Sequence, residues 1–190
     1  FLLTTLFLQL GVGLEPVFAG MVSIGFALAS AVSAWYGGNL VGRFGRPLVV
    51  WGLGVVLVSV VALTVVAFTV PVDVVAYAMA AVMLVAGIGA GLVVAPNQTL
   101  TLAEIPTSSG GLAGSVGQLG QRIGTAIGTA VALSLFYAAI YRDGASGEHG
   151  IAVYHDAYAF GMISVGLFLC GALALGITDL VSRRRARTRA

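Results

Sequence analysis

The chain has 190 residues, of which 59% are apolar and 8% charged, with a net charge of +2 and a mean hydropathy of +1.05. A water-soluble domain carries about 25% charged residues, so this composition excludes a soluble globular protein and indicates a chain bathed in lipid. Five of the arginines lie in the last eight residues, "RRRARTRA", so the positive balance does not indicate a nucleic-acid partner.

The apolar windows are long enough for membrane helices, which need about 20 mainly apolar residues. The windows are continuous rather than alternating, and this favours helices over the strands of a barrel. Residues 1–10 provide only about half of a span, so we expect the chain to be part of a longer protein. The predicted elements, in chain order, are a partial span at 1–10, full spans at 17–37, 48–70, 73–95, 112–141 and 157–181, and a basic cytoplasmic tail at 182–190.

The sidedness of these spans follows from the arginines. Counting spans places the loop 38–47, the loop 96–111 and the tail on one side, and the arginine-rich side of a membrane protein is cytoplasmic. We therefore predict a multi-pass protein of the cell's inner (plasma) membrane with a cytoplasmic C-terminus. Aromatic residues should lie at headgroup depth, with Trp35, Tyr36 and Trp51 on the cytoplasmic side and Tyr137, Tyr141, Tyr154 and Tyr158 on the other.

The window 112–141 contains a stripe of small residues. Glycines recur every three or four positions, so they share one helix face. Such a face lets a neighbouring helix approach closely, and we predict that it packs against one. The stripe consists of Gly117, Gly120, Gly124 and Gly128.

A second, polar stripe lies on the same helix. A polar face within a membrane requires either a protein partner or water, and it is typical of a helix that lines a substrate cavity. Arg122 has two interpretations: it faces this cavity, or it snorkels to water at the inner lip of the membrane. The candidate lining residues of the stripe are Gln118, Gln121, Arg122, Thr125 and Thr129.

The preceding window ends in "GIGAGLVVAPNQ". Its glycines Gly87, Gly89 and Gly91 lie inside an apolar helix, so helix packing is their predicted role rather than dinucleotide binding. Asn97 and Gln98 should follow the end of this helix at the inner edge of the cavity, where they either contact substrate or cap the helix. We predict no enzyme active site, no cofactor and no metal site, and we interpret Cys170 as a small buried apolar residue.

The short loop "GNLVGRFGRPL" resembles a motif of the major facilitator superfamily, G-x-L-a-D-r-x-G-r-r. Five positions match, although Gly42 replaces the aspartate and Pro47 replaces a cation of the motif. The segments "FLQLGVGLEPVFAG", "APNQTLTLAEIP", "GSVGQLGQRIGTAIGTA" and "YHDAYAFGM" are similar to the fourteen-helix drug:proton antiporter branch of that superfamily. The matching positions are Gly38, Leu40, Arg43, Gly45 and Arg46.

This resemblance implies an all-α membrane protein forming about five and a half helices of the C-terminal six-helix bundle of a secondary transporter. It further implies proton-coupled efflux of drugs or other small hydrophobic or cationic compounds, as in antibiotic resistance. The implied partners are membrane lipids, protons, a small-molecule substrate and the N-terminal half of the transporter, which would supply the proton-carrying carboxylate. The arginines of the loop would pair with helix ends or acids at the inner gate. The alternatives are a transporter of another small metabolite and a membrane scaffold without transport activity.

Overall fold

The computed structural model describes residues 1–103, 105–106, 109–145 and 150–187, and the side chains of these residues apart from 143–145 and 183–187. Part of the predicted tail, 188–190, therefore lies outside the described residues. Helix α1 continues into a π-helical turn, Phe7–Gly11, and the helices are α1 (Leu2–Leu6), α2 (Pro16–Val22), α3 (Ile24–Phe44), α4 (Arg46–Thr69), α5 (Val72–Leu102), α6 (Gly110–Ala145) and α7 (Ile151–Arg187).

The described part of the chain is helical throughout and contains no strand. Within it, five helices are long and apolar enough to cross a membrane: Pro16–Phe44, which joins α2 and α3, Arg46–Thr69, Val72–Leu102, Gly110–Arg142 and Ile151–Ser182. The prediction of an all-α, multi-pass membrane protein is confirmed at this level.

The predicted loop 38–47 is almost entirely helical. Helix α3 runs to Phe44 and α4 begins at Arg46, so a single residue, Gly45, separates them. Gly45 has φ +57° and donates its N–H to the carbonyl of Val41 at 2.8 Å. A glycine reaches this left-handed conformation without steric cost, which lets the chain reverse in one residue. The prediction of a ten-residue loop was therefore wrong.

The prediction that the helix of span 73–95 ends at residue 95 was also wrong, because α5 continues through Pro96 to Leu102. Proline removes one backbone hydrogen bond from a helix, but neighbouring helices compensate for such sites in membrane proteins. Pro96 is fully buried, and a Cβ placed on Gly37 of α3 would lie 3.3 Å from its Cγ atom. Asn97 and Gln98 are consequently part of the last helical turns of α5 rather than of a loop.

Helix α5 is the centre of the bundle, with α3 and α4 packed along it. A Cβ on Gly87 or Gly91 would overlap backbone atoms of α3, and a Cβ on Gly89 would lie 2.9 Å from the carbonyl oxygen of Gly52 in α4. The predicted packing role of these three glycines is confirmed. Helix α7 packs on α4 and on α6, whereas α5 and α6 barely touch.

The two ends of the bundle differ in packing. We call the end with the α3–α4 junction the arginine end, and the opposite end, with Tyr141 and Tyr154, the tyrosine end. Buried side chains concentrate toward the tyrosine end, where Phe7, Phe136 and Tyr158 are fully buried. At the arginine end, by contrast, no residue of α6 between 111 and 131 is buried. Helix α6 is therefore packed into the bundle at the tyrosine end and exposed at the arginine end.

Two predicted environments were wrong. Tyr158 is not part of a lipid-facing aromatic belt: it is fully buried, packs on Phe7 and shares a hydrogen bond of 3.0 Å with the hydroxyl of Thr4. It is drawn inward because the N-terminal helix supplies both a ring and a hydroxyl partner. Cys170 is exposed rather than buried, since α7 packs on α4 and α6 with its other faces.

Candidate functional site

Two adjoining grooves lie where α5 and α6 separate. The first groove, of 560 Å³, is lined by residues of α5 and α6, namely Val93, Val94, Asn97, Gln98, Thr101 and Leu102 of α5 and Ala113, Gly114, Gly117, Gln118 and Gln121 of α6. The second groove, of 780 Å³, is a shallow, open groove that runs along α6 from Gln118 to Leu133, with Gln98 as its lining residue on the α5 side. Because Gln98, Gln118 and Gln121 line both grooves, we treat the two as one feature and call it the α5–α6 cleft.

All seven side chains that the sequence indicated as cavity lining meet in this cleft. Asn97 lines the first groove, and the three glutamines line both. The second groove receives the rest of the polar stripe, namely Arg122, Thr125 and Thr129. Their spacing of three or four residues places them on one face of α6, and the last turns of α5 bring the remaining two residues opposite.

Several polar groups of the cleft are available to a ligand or to water. Thr125 donates its hydroxyl hydrogen to the carbonyl of Gln121 at 2.8 Å, so it stays within its own helix. Among the described residues, none makes a hydrogen bond or ion pair with the side chains of Gln118, Gln121 or Arg122. Amide and guanidinium donors on a membrane helix require such a partner, and the cleft is wide enough to admit one.

The position of Arg122 bears on its two interpretations. Its side chain lines the second groove, and along a helix with a rise of 1.5 Å per residue it lies about 18 Å from the start of α6 and about 30 Å from Arg142. Arg142 lies at the tyrosine end, with its guanidinium carbon 5.2 Å from the ring centre of Phe160. Arg122 therefore lies on the cleft face of α6, and its depth in the bilayer stays a matter of prediction.

The glycine stripe of α6 has no helix packed on it in the described part of the chain. A Cβ added to Gly120, Gly124 or Gly128 would meet nothing within 4 Å, and Gly117 borders the first groove. The close packing of the glycine stripe against a helix stays a prediction, and the packing partner would have to come from outside the described residues.

The motif residues lie at the arginine end. Gly38, Leu40 and Arg43 belong to the last turns of α3, and Arg43 places its guanidinium carbon 5.6 Å from the ring centre of Phe44. Arg46, the first residue of α4, forms an ion pair with Asp179 near the end of α7. Arg46 thus pairs with an acid of this bundle, and the expected pairing of the two arginines across the inner gate stays a prediction.

Asp179 is a residue that sequence reasoning missed. It and Arg46 border a third cavity of 400 Å³ between α4, α5 and α7, which also receives Asn97 and Thr101 from α5. Those two α5 residues line the first groove as well, so the end of α5 separates the α5–α6 cleft from the ion pair. The one signal in the sequence was a single acid within a long apolar window.

A metal centre finds no support in the described ranges, where no three His, Cys, Asp or Glu side chains come together. His155 instead packs between aromatic rings, with ring centres 5.5 Å from Phe7 and 5.3 Å from Phe68. His149 lies outside the described residues. Comparison of the chain with protein families, with curated proteins and with solved structures finds no match.

Proposed function

We propose that the chain is one bundle of a secondary transporter of the major facilitator type, and that the α5–α6 cleft is part of the path of a small hydrophobic cargo exported in exchange for protons. The observation that carries this proposal is the meeting of seven polar side chains from two helices in one cleft, within a bundle whose buried core is mainly apolar. Transporter sites of this kind lie between bundles near the middle of the membrane.

The shape of the bundle supports an alternating-access mechanism. Helix α6 is packed against its neighbours at the tyrosine end, whereas α5 and α6 lie apart at the arginine end, where the cleft opens. If the arginine end is cytoplasmic, as the arginine bias predicts, this arrangement matches the cargo-loading state of an exporter. The exposed face of α6, with its glycine stripe, would then receive the other bundle of the transporter.

Coupling to protons requires a carboxylate that the cleft does not supply. The cleft lining in the described residues consists of amide, hydroxyl, guanidinium and apolar groups. The proton-carrying acid would therefore belong to the second bundle, and the role of this chain would be to bind cargo and to move against that bundle.

Isosteric substitutions in the cleft test the proposal. Thr125→Val and Thr129→Val together should lower proton-driven transport of the neutral dye N-phenyl-1-naphthylamine by about fivefold, since a lost hydrogen bond costs about 1 kcal/mol. The measurement is dye uptake by inside-out vesicles that contain the full-length protein, with and without a pH gradient.

The matched control is Thr64→Val with Thr69→Val on α4. Both hydroxyls donate to carbonyls of their own helix, at 3.0 and 2.8 Å, and neither residue lines the cleft. This variant should transport as the unmodified protein does. Absence of any gradient-dependent uptake by the unmodified protein would overturn the proposal and favour a scaffold. An equal loss of dye transport in the α6 and α4 double variants would show that the cleft is not part of the cargo path.

A further inference from the structure

The charge of the α5–α6 cleft is unbalanced. Among the described residues that line either groove, the one charged side chain is Arg122. Its neighbours in the second groove are amides, hydroxyls, alanines and one leucine, none of which can neutralise a guanidinium.

The acids whose side chains the structure describes lie away from the cleft. Glu15 precedes α2 and Asp73 belongs to the first turn of α5, both at the tyrosine end. Asp73 and Gln98 are separated by 25 residues of one helix, which corresponds to about 37 Å. Asp156 lies in the first turns of α7, and Asp179 is engaged by Arg46 on the far side of α5. No described acid is therefore in place to pair with Arg122.

A guanidinium that has no described acid beside it selects ligands by charge. Walls of low dielectric constant strengthen its field, so an anion is attracted and a cation repelled more strongly than in water. Its five N–H donors form a planar fork that matches two oxygens of a carboxylate or sulfonate. The amides of Gln118 and Gln121 line the same groove and can donate further hydrogen bonds to such a group.

The first groove provides the complementary apolar part. Val93, Val94 and Leu102 of α5 face Ala113 and Gly114 of α6 there, and this groove is continuous with the charged one through the shared glutamines. A ligand with an apolar ring system and one oxyanion at its end would fit both. The volumes of 560 and 780 Å³ are within the range of sites for drug-sized molecules.

We propose that the α5–α6 cleft binds small amphipathic anions, with the oxyanion on Arg122 and the apolar body between the ends of α5 and α6. This inference rests on the proposed function and narrows its cargo class: cations are disfavoured at this wall. Export of an anion from a cytoplasm at negative potential is also favoured electrically, so an anionic cargo suits the direction of transport.

Three compounds with one ring system separate charge from size: naphthalene-1-acetate, the neutral naphthalene-1-acetamide and the cation naphthalen-1-ylmethylammonium. Their affinities are measured on full-length protein in lipid nanodiscs. Arg122→Gln should weaken binding of the acetate by about tenfold, the value of a charge-assisted hydrogen bond. Binding of the acetamide should stay within about twofold, and binding of the ammonium compound should improve. Arg122→Lys should retain most of the preference for the acetate.

Arg142→Gln is the matched control, because it removes the same charge from the same helix outside the cleft lining. It should leave the ratio of acetate to acetamide affinity unchanged. The inference is overturned if Arg122→Gln changes the acetate and acetamide affinities by the same factor, as expected for an arginine that pairs with an acid of the second bundle. It is also overturned if Arg142→Gln changes the ratio as much.

Transport of the same three compounds, measured with full-length protein reconstituted in sealed proteoliposomes, separates the two proposals. Proton-driven transport of the acetamide without an Arg122-dependent preference for the acetate would overturn the anion inference and leave the proposed function standing. An Arg122-dependent preference without transport of any of the three compounds would support the anion site and overturn the proposed function.

Discussion

Gly91→Ala is expected to destabilise the bundle by about 3 kcal/mol, the upper part of the range for overpacking in a closely packed interior. The added Cβ would overlap the carbonyl oxygen of Ser30 and the backbone nitrogen of Ala34, as well as the hydroxyl of Ser33. Backbone atoms cannot rotate away, so α3 has to move off α5. The free energy of unfolding is measured by chemical denaturation of the purified protein in mixed micelles.

Gly54→Ala provides the control for this prediction. Gly54 lies in α4, where a Cβ would meet nothing within 4 Å. Alanine has the higher helix propensity, so this variant should be as stable as the unmodified protein or more stable by up to about 1 kcal/mol. Equal stability of the two variants would contradict the close approach of α3 and α5.

Reversing one charge of the Arg46–Asp179 ion pair is the second change with a large expected effect. The two side chains are 33% and 38% exposed, so the loss on removing one partner should lie between the values for exposed and buried pairs, at about 2 kcal/mol. Arg46→Asp adds repulsion to this loss, because it places two acids side by side where α4 begins and α7 ends. The free energy of unfolding and the transport rate should both fall.

The double variant Arg46→Asp with Asp179→Arg restores opposite charges and should recover most of the stability, a coupling that a double-mutant cycle isolates. Arg43→Asp is the matched comparison. Arg43 stacks on Phe44 in the last turn of α3, and Asp179→Arg should not rescue its reversal. Rescue of both arginine variants, or of neither, would contradict the specific pairing.

The helical fold could be predicted because apolar windows of membrane length have few alternatives in lipid. The ends of the helices could not be predicted, since the glycine and proline residues that usually mark helix ends were misleading here. The glycines and polar residues between Gly38 and Gly45 indicated a loop, yet one glycine with a positive φ is enough to reverse the chain direction. Pro96 indicated the end of a helix, yet burial against Gly37 lets α5 continue. In both cases a tertiary contact or a single backbone conformation overrode local preference.

The α6 side of the cleft could be predicted from that helix alone, because residues spaced by three or four positions share a face whatever the rest of the chain does. Contacts between residues far apart in the sequence produce no such periodic pattern. The Arg46–Asp179 contact joins residues 133 positions apart, and the Thr4–Tyr158 hydrogen bond joins residues 154 positions apart. The two sets of glycines differ in the same way: Gly87, Gly89 and Gly91 of α5 contact α3 and α4, whereas the α6 stripe has no packing partner in the described residues.

Cysteine labelling tests whether one face of α6 borders a water-filled cargo path. Single cysteines replace Gln118, Thr125 or Thr129 on the cleft face, and Ile123 or Ile127 on the opposite face, in full-length protein carrying Cys170→Ser. A thiol reacts as the thiolate, which forms in water and not in lipid. We predict fast reaction of the cleft-face cysteines with a charged, membrane-impermeant reagent, slowed by bound N-phenyl-1-naphthylamine, and slow reaction of the other two. Equal reactivity around the helix, with no protection by the dye, would contradict the claim.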